Sequence, residues 1–533
     1  MSGFRILTVV SRPLHSLSKS SFLFLTPSLS LRKSDCLHSL ATATFTEDGN
    51  RPFEDIPAPR ALPVVGSVWD YVFGKGDHFT MTHELQLDRC RKYGKIYRER
   101  FGSTDFVFVA DPDSIETVMR AETASPRKPA IKAWIEARTE LGYQGGILSD
   151  DIKEWRRFRK PLNKLMLRPK QLQCNFTQGV NEVAQDFVRY LENTRNRNPG
   201  PEEYLISDIQ TESRKLSLEG IGLIVYGKRL NMITNELEAE TEEFIESLLC
   251  VFKVFTELRM TYLFHKLLKS RAWQMNKDGW RKNFEYNAKL VAELQERLAR
   301  KIEGTGDDPE GKYYVTSLLE RLLMDSNQSV SEIVLTGMDM FSAGMETVSS
   351  SLTWILHHLS KNPDIQDRIY EESVSVLGND RLCATPAELQ KLTLTKNVIK
   401  ESLRLASIFP TNFRILETDV DLMGYRVPAG TPIGFCHHFI NRSTEYFDEP
   451  WKFNPDRWLR EGNNIHPFAS LPFGFGARMC PGRRVAELQM LVAVNAICRR
   501  FRLESANTTD VKQRLHAMLI PDRPVDIRFL DRR

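Results

Sequence analysis

A stretch of ten residues near the C-terminus constrains the chain more than any other. It reads Phe473-Gly474-Phe475-Gly476-Ala477-Arg478-Met479-Cys480-Pro481-Gly482 and leads directly into an apolar, helix-like segment over residues 485–497. Glycines let a backbone approach a flat ligand closely. The N-terminus of a helix just after Cys480, together with Arg478, favours a thiolate over a thiol. The pattern indicates a metal-binding thiolate held by a loop, and the alternative is a glycine-rich turn around a buried cysteine.

The spacing Phe-x-x-Gly-x-Arg-x-Cys-x-Gly in this stretch resembles the haem-thiolate signature of the cytochrome P450 family. The resemblance implies a mainly α-helical fold with small β-sheets and a long central helix over the haem. It also implies haem b (iron protoporphyrin IX), with Cys480 as the axial thiolate and metal ligand and with Phe473, Gly476 and Arg478 as further cofactor-binding residues. In such a site the thiolate pushes electron density towards the iron and favours cleavage of the O–O bond of dioxygen.

Composition and length are consistent with one large folded domain. Of the 533 residues, 41% are hydrophobic and 27% charged, and no linker or internal repeat interrupts the chain after residue 65. We therefore expect a single domain over residues 55–530, although the length alone would allow several. The formal net charge of +4 does not indicate a nucleic-acid partner. The eight cysteines are scattered without a Cys-x-x-Cys pair, which favours a reducing compartment over a disulfide framework.

The N-terminus has the composition of a targeting segment. No acidic residue precedes Asp35, serines are frequent, and the basic residues there are Arg5, Arg12, Lys19, Arg32 and Lys33. This composition predicts a mitochondrial transit peptide over residues 1–45, with a merely disordered tail as the alternative. The longest apolar run, residues 22–25, is far shorter than the ~20 residues that cross a bilayer, so we expect no signal anchor.

A second group of residues fits the carboxylates of a haem. Trp155 and Arg159 are four residues apart in a helical context and therefore share a helix face. An indole N–H and a guanidinium can both donate to a carboxylate. The resemblance implies that they bind a haem propionate and that Arg414 does the same. The alternative for the first pair is a solvated basic face with one anchoring tryptophan.

Ser329 and Glu332 form a capping-box pattern that opens a helix ending near Asn362. The helix is about 30 residues, or roughly 45 Å, long. Its middle, residues 343–347, holds a glycine and a threonine that weaken the backbone ladder locally. The resemblance implies an oxygen-binding groove in which Glu346 and Thr347 are catalytic and relay protons to dioxygen. The alternative is close packing of two helices at this point.

The pair Glu401 and Arg404 lies at a spacing of three residues on a predicted helix. As an exposed pair it would add only a few tenths of a kcal/mol. The resemblance implies instead that both are buried with Arg457 and have a structural role, holding the thiolate loop in place.

Two basic pairs bear on a protein partner. Lys396 and Lys400 are neighbours on one helix, and Arg483 and Arg484 follow the thiolate loop. Cationic patches steer an acidic partner and fix its orientation. The resemblance to the mitochondrial branch of the family implies that they bind an acidic, adrenodoxin-like [2Fe-2S] ferredoxin, which an NADPH-dependent reductase reduces. Ordinary solvation of charged side chains is the alternative.

Three further segments carry structural expectations. Residues 92–109 have strand character around glycine turns, and residues 126–151 are predicted to be an irregular segment. Residues 247–268 are apolar with interspersed basic residues, which fits either contact with a membrane surface or a core helix pair.

Together these features predict a monooxygenase that inserts one oxygen atom from O2 into a lipophilic substrate. The resemblance is to animal mitochondrial enzymes, which implies a steroid, sterol, ecdysteroid or secosteroid substrate and a peripheral location on the matrix side of the inner membrane. The alternatives are a mitochondrial xenobiotic-oxidising monooxygenase, a haem-thiolate isomerase, and a non-catalytic haem carrier or sensor.

Overall fold

Helices make up most of the described chain, and small sheets lie beside them. In the computed structural model the described residues are 49–532, apart from 74–79, 124–125, 168, 197–199, 201, 304–316, 326, 380 and 460–463. They form one compact unit. The predicted transit peptide, residues 1–45, lies outside the described residues.

The helices in chain order are α1 (Val68–Phe73), α2 (Thr82–Tyr93), α3 (Pro112–Arg120), α4 (Lys132–Glu140), α5 (Ile152–Met166), α6 (Pro169–Thr194), α7 (Ile209–Tyr226), α8 (Ala239–Leu267), α9 (Arg271–Glu303), α10 (Leu318–Asp325), α11 (Val330–Ser360), α12 (Pro363–Leu377), α13 (Pro386–Lys391), α14 (Thr393–Leu405), α15 (His437–Ile440) and α16 (Arg483–Arg500).

The strands are β1 (Ile96–Phe101), β2 (Thr104–Val109), β3 (Leu205–Ile206), β4 (Thr411–Ile415), β5 (Val420–Leu422), β6 (Tyr425–Val427), β7 (Pro432–Cys436), β8 (Phe501–Ser505), β9 (Gln513–His516), β10 (Met518–Pro521) and β11 (Ile527–Asp531). The largest described sheet has the order β1-β2-β7-β4. Its only parallel pair is β2 with β7; β1 pairs antiparallel with β2, and β4 with β7. The predicted fold, mainly α with small sheets, is confirmed.

Helix α11 runs through the core, as the capping pattern predicts. The Ser329 side chain accepts the backbone N–H of Glu332, and the Glu332 side chain accepts the N–H of Ser329 at 2.8 Å. Most of its side chains are buried, because α7, α9, α14 and α16 all pack against it. This long, covered helix forms one wall of the site described below.

Two segments differ from expectation. Residues 126–151 are not wholly irregular, because they contain α4, whose side chains Trp134 and Arg138 are buried. Residues 247–268 lie in a single helix, α8, and in the turn after it. Its side chains Leu248 and Val251 belong to the core, while Phe264 and Leu267 at its end are 63% and 73% exposed. No helix in the described part of the chain is long and apolar enough to cross a bilayer.

Candidate haem site

The loop around Cys480 is folded by its own backbone. The N–H of Cys480 donates to the Phe473 carbonyl at 2.9 Å, and the N–H of Met479 donates to the Gly476 carbonyl at 3.1 Å. Gly476 has a φ of +76°, and a Cβ there would lie 2.6 Å from Oε2 of Glu122. A side chain at this position would therefore be strained and would clash, which explains the glycine. Helix α16 begins three residues after Cys480 and directs its first amides towards the sulfur.

The electrostatics of Cys480 differ from the sequence-based expectation. Burial raises the pKa of this thiol above its ordinary value, and the opposing effects of the Gly482 and Arg483 amides and of the Arg159 guanidinium do not reverse that shift. The helix N-terminus acts in the predicted direction, since the Gly482 and Arg483 amides lower the pKa of Cys480, but desolvation has the larger effect. Coordination to a metal is what deprotonates a buried thiol of this kind.

Arg478 lies on the ring of Trp155, with its guanidinium carbon 3.7 Å from the ring centroid. Its Nε donates to the Pro126 carbonyl at 2.9 Å, and its Nη1 is buried with no hydrogen-bond partner among the described residues. Burial, followed by the charges of Arg414 and Arg159, lowers the pKa of Arg478 to about 10. This arginine therefore has a buried donor that requires an acceptor.

The other cations of the cluster are held around Arg478. Arg159 donates to the Met479 carbonyl, and Arg414 donates to Glu122 and, at 3.2 Å, to the Phe475 carbonyl. Burial and the three guanidiniums together lower the pKa of Lys128 to about 8. Among these four cationic groups, Arg414 and Arg478 interact with the Glu122 carboxylate. The mutual repulsion of the cations in the cluster favours the binding of additional anionic groups.

The middle of α11 has one face that other side chains do not cover. Ala343 is exposed although its neighbours Ser342 and Met345 are buried. Thr347 lies one turn further along on the same face, and its hydroxyl donates to the Ala343 carbonyl at 2.6 Å. This side-chain hydrogen bond competes with the backbone hydrogen bonds of the helix for the Ala343 carbonyl, at the predicted groove. The adjoining face packs closely, since a Cβ on Gly344 would lie 3.1 Å from Ile221.

Glu346 is adjacent to Thr347 in sequence, but its carboxylate reaches α7. It accepts from Arg214 Nε at 2.8 Å and from Gln210 Nε2 at 2.8 Å. Glu346 is buried, whereas the Arg214 side chain is 17% exposed. The pair therefore links the inside of α11 to the protein surface.

Glu401 is the centre of a buried network. Its two oxygens accept from Arg404 Nη2 and Nε at 2.7 and 3.0 Å, from Arg457 Nε at 2.9 Å, and from Trp458 Nε1 at 2.9 Å. Arg404 also donates to the carbonyls of Asn441 and Pro450, at 2.5 and 2.7 Å. The structure thus brings together the three residues that the sequence grouped.

The predicted partner-binding residues also lie close together. Glu487 accepts from Arg483 at 2.8 Å and from Arg484 at 2.9 Å. Burial and the charge of Arg483 lower the pKa of Lys400, which places α14 beside the start of α16. Lys396 donates to the Gln390 carbonyl at 2.8 Å. The surface is therefore basic, with the carboxylates of Glu372 and Glu487 near its lysines.

Sequence reasoning missed three charged residues of this region: Glu122, Lys128 and Arg214. None of them lies in a motif or at a helical spacing from a predicted site residue. Only their contacts reveal them.

A family model described as Cytochrome P450 matches residues 56–529. The chain is a cytochrome P450. As a member of this family it is a haem-dependent monooxygenase that uses O2 and a lipophilic substrate, and its cofactor is a haem with a cysteine thiolate ligand.

Several relatives cover almost the whole length of this P450. The mouse protein "25-hydroxyvitamin D-1 alpha hydroxylase, mitochondrial" is 34% identical over 488 residues, which are 90% of this chain and 93% of the relative. "Cytochrome P450 27C1" of Danio rerio is 30% identical over 489 residues, which are 91% of this chain and 88% of the relative. The rat "Sterol 26-hydroxylase, mitochondrial" is 32% identical over 84% of each chain.

The residues of this P450 fit a haem on structural grounds. Cys480 offers a sulfur that the amides of Gly482 and Arg483 approach. Arg478 has a buried Nη1 that finds no acceptor among the residues that the structure describes, in a cluster with an excess of positive charge. The two propionates of a haem supply the acceptors and the negative charge that this cluster lacks.

Proposed function

We propose that this P450 hydroxylates a sterol or secosteroid, with Cys480 as the thiolate ligand of the haem iron. The observation that supports haem binding most strongly is the cationic cluster next to the Cys480 loop, in which Arg478 Nη1 has no hydrogen-bond partner within the described part of the chain. Three relatives that cover most of the chain carry sterol or vitamin D hydroxylase names. A haem bound in this way would activate O2, while the protein orients the substrate, excludes water and supplies protons.

The roles of the surrounding residues follow from their positions. Trp155, Arg159, Arg414 and Arg478 hold the haem carboxylates, while Phe473 and Gly476 shape the loop beneath them. Lys128 belongs to the same cluster, where burial and the neighbouring guanidiniums lower its pKa to about 8. Glu401, Arg404 and Arg457 keep the segment before the loop in place.

The direct test has two stages. The reduced protein is first examined with and without carbon monoxide, where a strongly red-shifted Soret band identifies a thiolate-bound haem. The enzyme is then reconstituted with a mitochondrial ferredoxin and its reductase, and sterols, secosteroids and foreign compounds are screened for products heavier by one oxygen atom. Products from foreign compounds alone would favour the xenobiotic-oxidising alternative. A rearranged product formed without reductant would favour the isomerase.

Thr347 and Glu346 are the proposed proton path to bound O2. Arg214 connects the Glu346 carboxylate to solvent, and the Thr347 hydroxyl is on the uncovered face of α11. In this proposal Glu346 is the acid–base group and Thr347 is the hydroxyl donor in the groove. A positioned acid–base group accelerates a proton transfer by about 10²–10⁴-fold.

We predict that Thr347→Ala diverts electrons from product to hydrogen peroxide. Because the groove loses its hydroxyl donor, product per NADPH should fall by about tenfold or more, while NADPH oxidation continues. Thr353→Ala is a matched control, since this threonine on α11 also donates to the carbonyl four residues earlier, at 2.8 Å. Unchanged coupling in the Thr347 variant would refute the proton role.

We also propose that the electron donor is an acidic [2Fe-2S] ferredoxin that docks on Lys396, Lys400, Arg483 and Arg484. These residues cluster on α14 and at the start of α16, immediately after the Cys480 loop. This position is close to the sulfur ligand and so suits electron delivery.

Replacing both Lys396 and Lys400 by glutamine should raise the KM for ferredoxin by about tenfold at low ionic strength, because rim charges govern association. The difference should shrink as salt shortens the Debye length from ~10 Å at 0.1 M to ~3 Å at 1 M. The control is Lys282→Gln with Lys289→Gln. Both lysines lie on α9, which packs on α4, α7, α8, α10 and α11 and carries none of the four proposed docking residues. An equal KM for both double variants would mean that the partner binds elsewhere.

For location, we propose a mitochondrial protein with residues 1–45 as transit peptide and residues 55–530 as the enzyme domain. The exposed residues Leu263, Phe264, Leu267 and Leu268 form an apolar end to α8, beside the basic Lys266 and Lys269. Such a surface suits peripheral contact with the matrix side of the inner membrane. Fractionation of mitochondria tests it, because recovery only in the soluble matrix would contradict the contact.

A further inference from the structure

Glu487 on α16 is paired with both arginines that follow the Cys480 loop. Its Oε1 accepts from Arg483 Nε at 2.8 Å, and its Oε2 accepts from Arg484 Nη1 at 2.9 Å. The spacings of four and three residues place these side chains on one face of the helix. The side chains of Arg483, Arg484 and Glu487 are 37%, 39% and 32% exposed. Ion pairs at such exposure are weak and screened by salt, so another carboxylate can replace Glu487.

The charge of Glu487 also reaches the two lysines on α14. Burial lowers the pKa of Lys396, and the charges of Glu372 and Glu487 oppose that shift. Burial and the charge of Arg483 lower the pKa of Lys400, again against the charge of Glu487. One carboxylate therefore acts on all four cations of the proposed docking surface.

Glu372 has a different task, although it also lies near Lys396. Its two oxygens accept the backbone N–H groups of Leu394 and Thr395 at 2.6 and 3.0 Å. These amides belong to the first turn of α14, where a carboxylate satisfies donors that the helix itself leaves open. Glu372 is thus held by the backbone, whereas the partners of Glu487 are surface side chains that can turn towards another molecule.

An acidic ferredoxin would bring to this surface the same chemical group that Glu487 already provides. Arginine pairs with carboxylates through charge-assisted hydrogen bonds, and the guanidinium donors that Glu487 occupies are not open to a partner. A carboxylate that stays within the interface also repels the incoming ones, because like charges across an interface disfavour association. Glu487 should therefore weaken the complex.

A weak complex suits the electron count of the proposed reaction. Hydroxylation converts a C–H substrate, O2, two electrons and two protons into an alcohol and water, whereas a [2Fe-2S] cluster delivers one electron at a time. Each turnover therefore requires the spent ferredoxin to leave and a reduced one to bind.

We propose that Glu487 is an intramolecular competitor of the ferredoxin: it pairs with Arg483 and Arg484 in the free enzyme, yields them to carboxylates of the partner, and keeps the complex short-lived. This inference rests on the proposed function, because it assumes that an acidic ferredoxin docks on these cations.

The test measures the dissociation constant of oxidised adrenodoxin for the haem-loaded enzyme, by isothermal titration calorimetry at low ionic strength. In Glu487→Gln the constant should fall about fivefold, because the competing charge is gone and both guanidiniums are released to the partner. The dissociation rate constant, from surface plasmon resonance, should fall with it. The gain should shrink in ~1 M salt, where the Debye length is only ~3 Å.

Two variants serve as controls. Glu487→Asp keeps the charge on a side chain one methylene shorter, so its dissociation constant should stay within about twofold of the wild type. Glu240→Gln removes an equal charge from the pair that Glu240 on α8 forms with Lys289, on elements that carry none of the docking residues. It should leave the constant unchanged, which separates local competition from the overall charge of the enzyme.

Each other result for Glu487→Gln overturns the inference. A larger dissociation constant would show that Glu487 orients the arginines for the partner, and an unchanged constant would show that it does not compete. The variant with glutamine at both Lys396 and Lys400 separates this failure from that of the docking surface. If that variant binds adrenodoxin more weakly, the surface stands and only the competitor role of Glu487 is lost; if neither variant changes the constant, the ferredoxin binds elsewhere. The carbon monoxide spectrum confirms in each case that the haem site is intact.

Discussion

Replacement of Cys480 by serine is expected to abolish the thiolate-type spectrum and reduce monooxygenase turnover to background. A serine hydroxyl remains protonated where a coordinated thiol ionises, and it lacks the soft, electron-donating sulfur that favours O–O cleavage. In the proposed site the haem carboxylates would still have Arg159, Arg414 and Arg478 as partners, so we expect some haem to remain bound. The measurement is the carbon monoxide difference spectrum of the reduced variant together with its haem content and product formation.

Cys383→Ser provides the control for this substitution. Cys383 is also a free, partly buried cysteine, and its sulfur accepts from Gln185 Nε2 at 2.7 Å, a role that a serine oxygen can take over. This variant should keep both the spectrum and the turnover. A red-shifted thiolate band that survived in Cys480→Ser would assign the ligand to another cysteine and overturn the site.

The parts of the site that could be predicted are those encoded by local patterns. The Cys480 loop, the Ser329 cap of α11 and the pair Glu401–Arg404 each fall within a short stretch, where spacing determines which groups face each other. The structure places these residues as the sequence suggested. The location of Thr347 on an uncovered face of α11 likewise follows from the helical period.

The parts that could not be predicted depend on contacts between distant segments. Arg414 and Glu122 are 292 residues apart, and Arg214 and Glu346 are 132 apart. No periodicity relates such pairs, because they meet only when the helices pack. The same is true of the packing of α4 against α9, since α4 lies within a segment that was expected to be irregular.

The net direction of the pKa shift at Cys480 could not be predicted for a related reason. Local dipoles and charges can be inferred from neighbouring residues, whereas desolvation depends on everything that covers the sulfur. Burial here outweighs the amides of Gly482 and Arg483 and the charge of Arg159. A sequence therefore indicates which groups favour ionisation more readily than it indicates their net effect.

Loss of the Glu401 carboxylate should be the most destabilising single change in the framework that supports the haem loop. Arg404 and Glu401 have fully buried side chains, and that of Arg457 is 7% exposed. Glu401→Leu leaves two guanidiniums in the interior without their carboxylate, which typically costs about 3–5 kcal/mol. We expect a correspondingly lower free energy of unfolding and poor haem retention, measured by denaturant unfolding and by haem content.

Asp456→Asn separates this effect from that of a surface ion pair in the same segment. Asp456 accepts from Arg368 at 2.6 and 3.0 Å, but the two side chains are 41% and 44% exposed. Loss of that pair should cost no more than about 1 kcal/mol. The double variant Glu401→Leu with Arg404→Leu removes one buried cation along with the carboxylate, so it should be less destabilised than the sum of its single variants. Equal losses for Glu401→Leu and Asp456→Asn would show that burial of the network adds nothing, and the loop would then have to be held by α16 and its own backbone bonds.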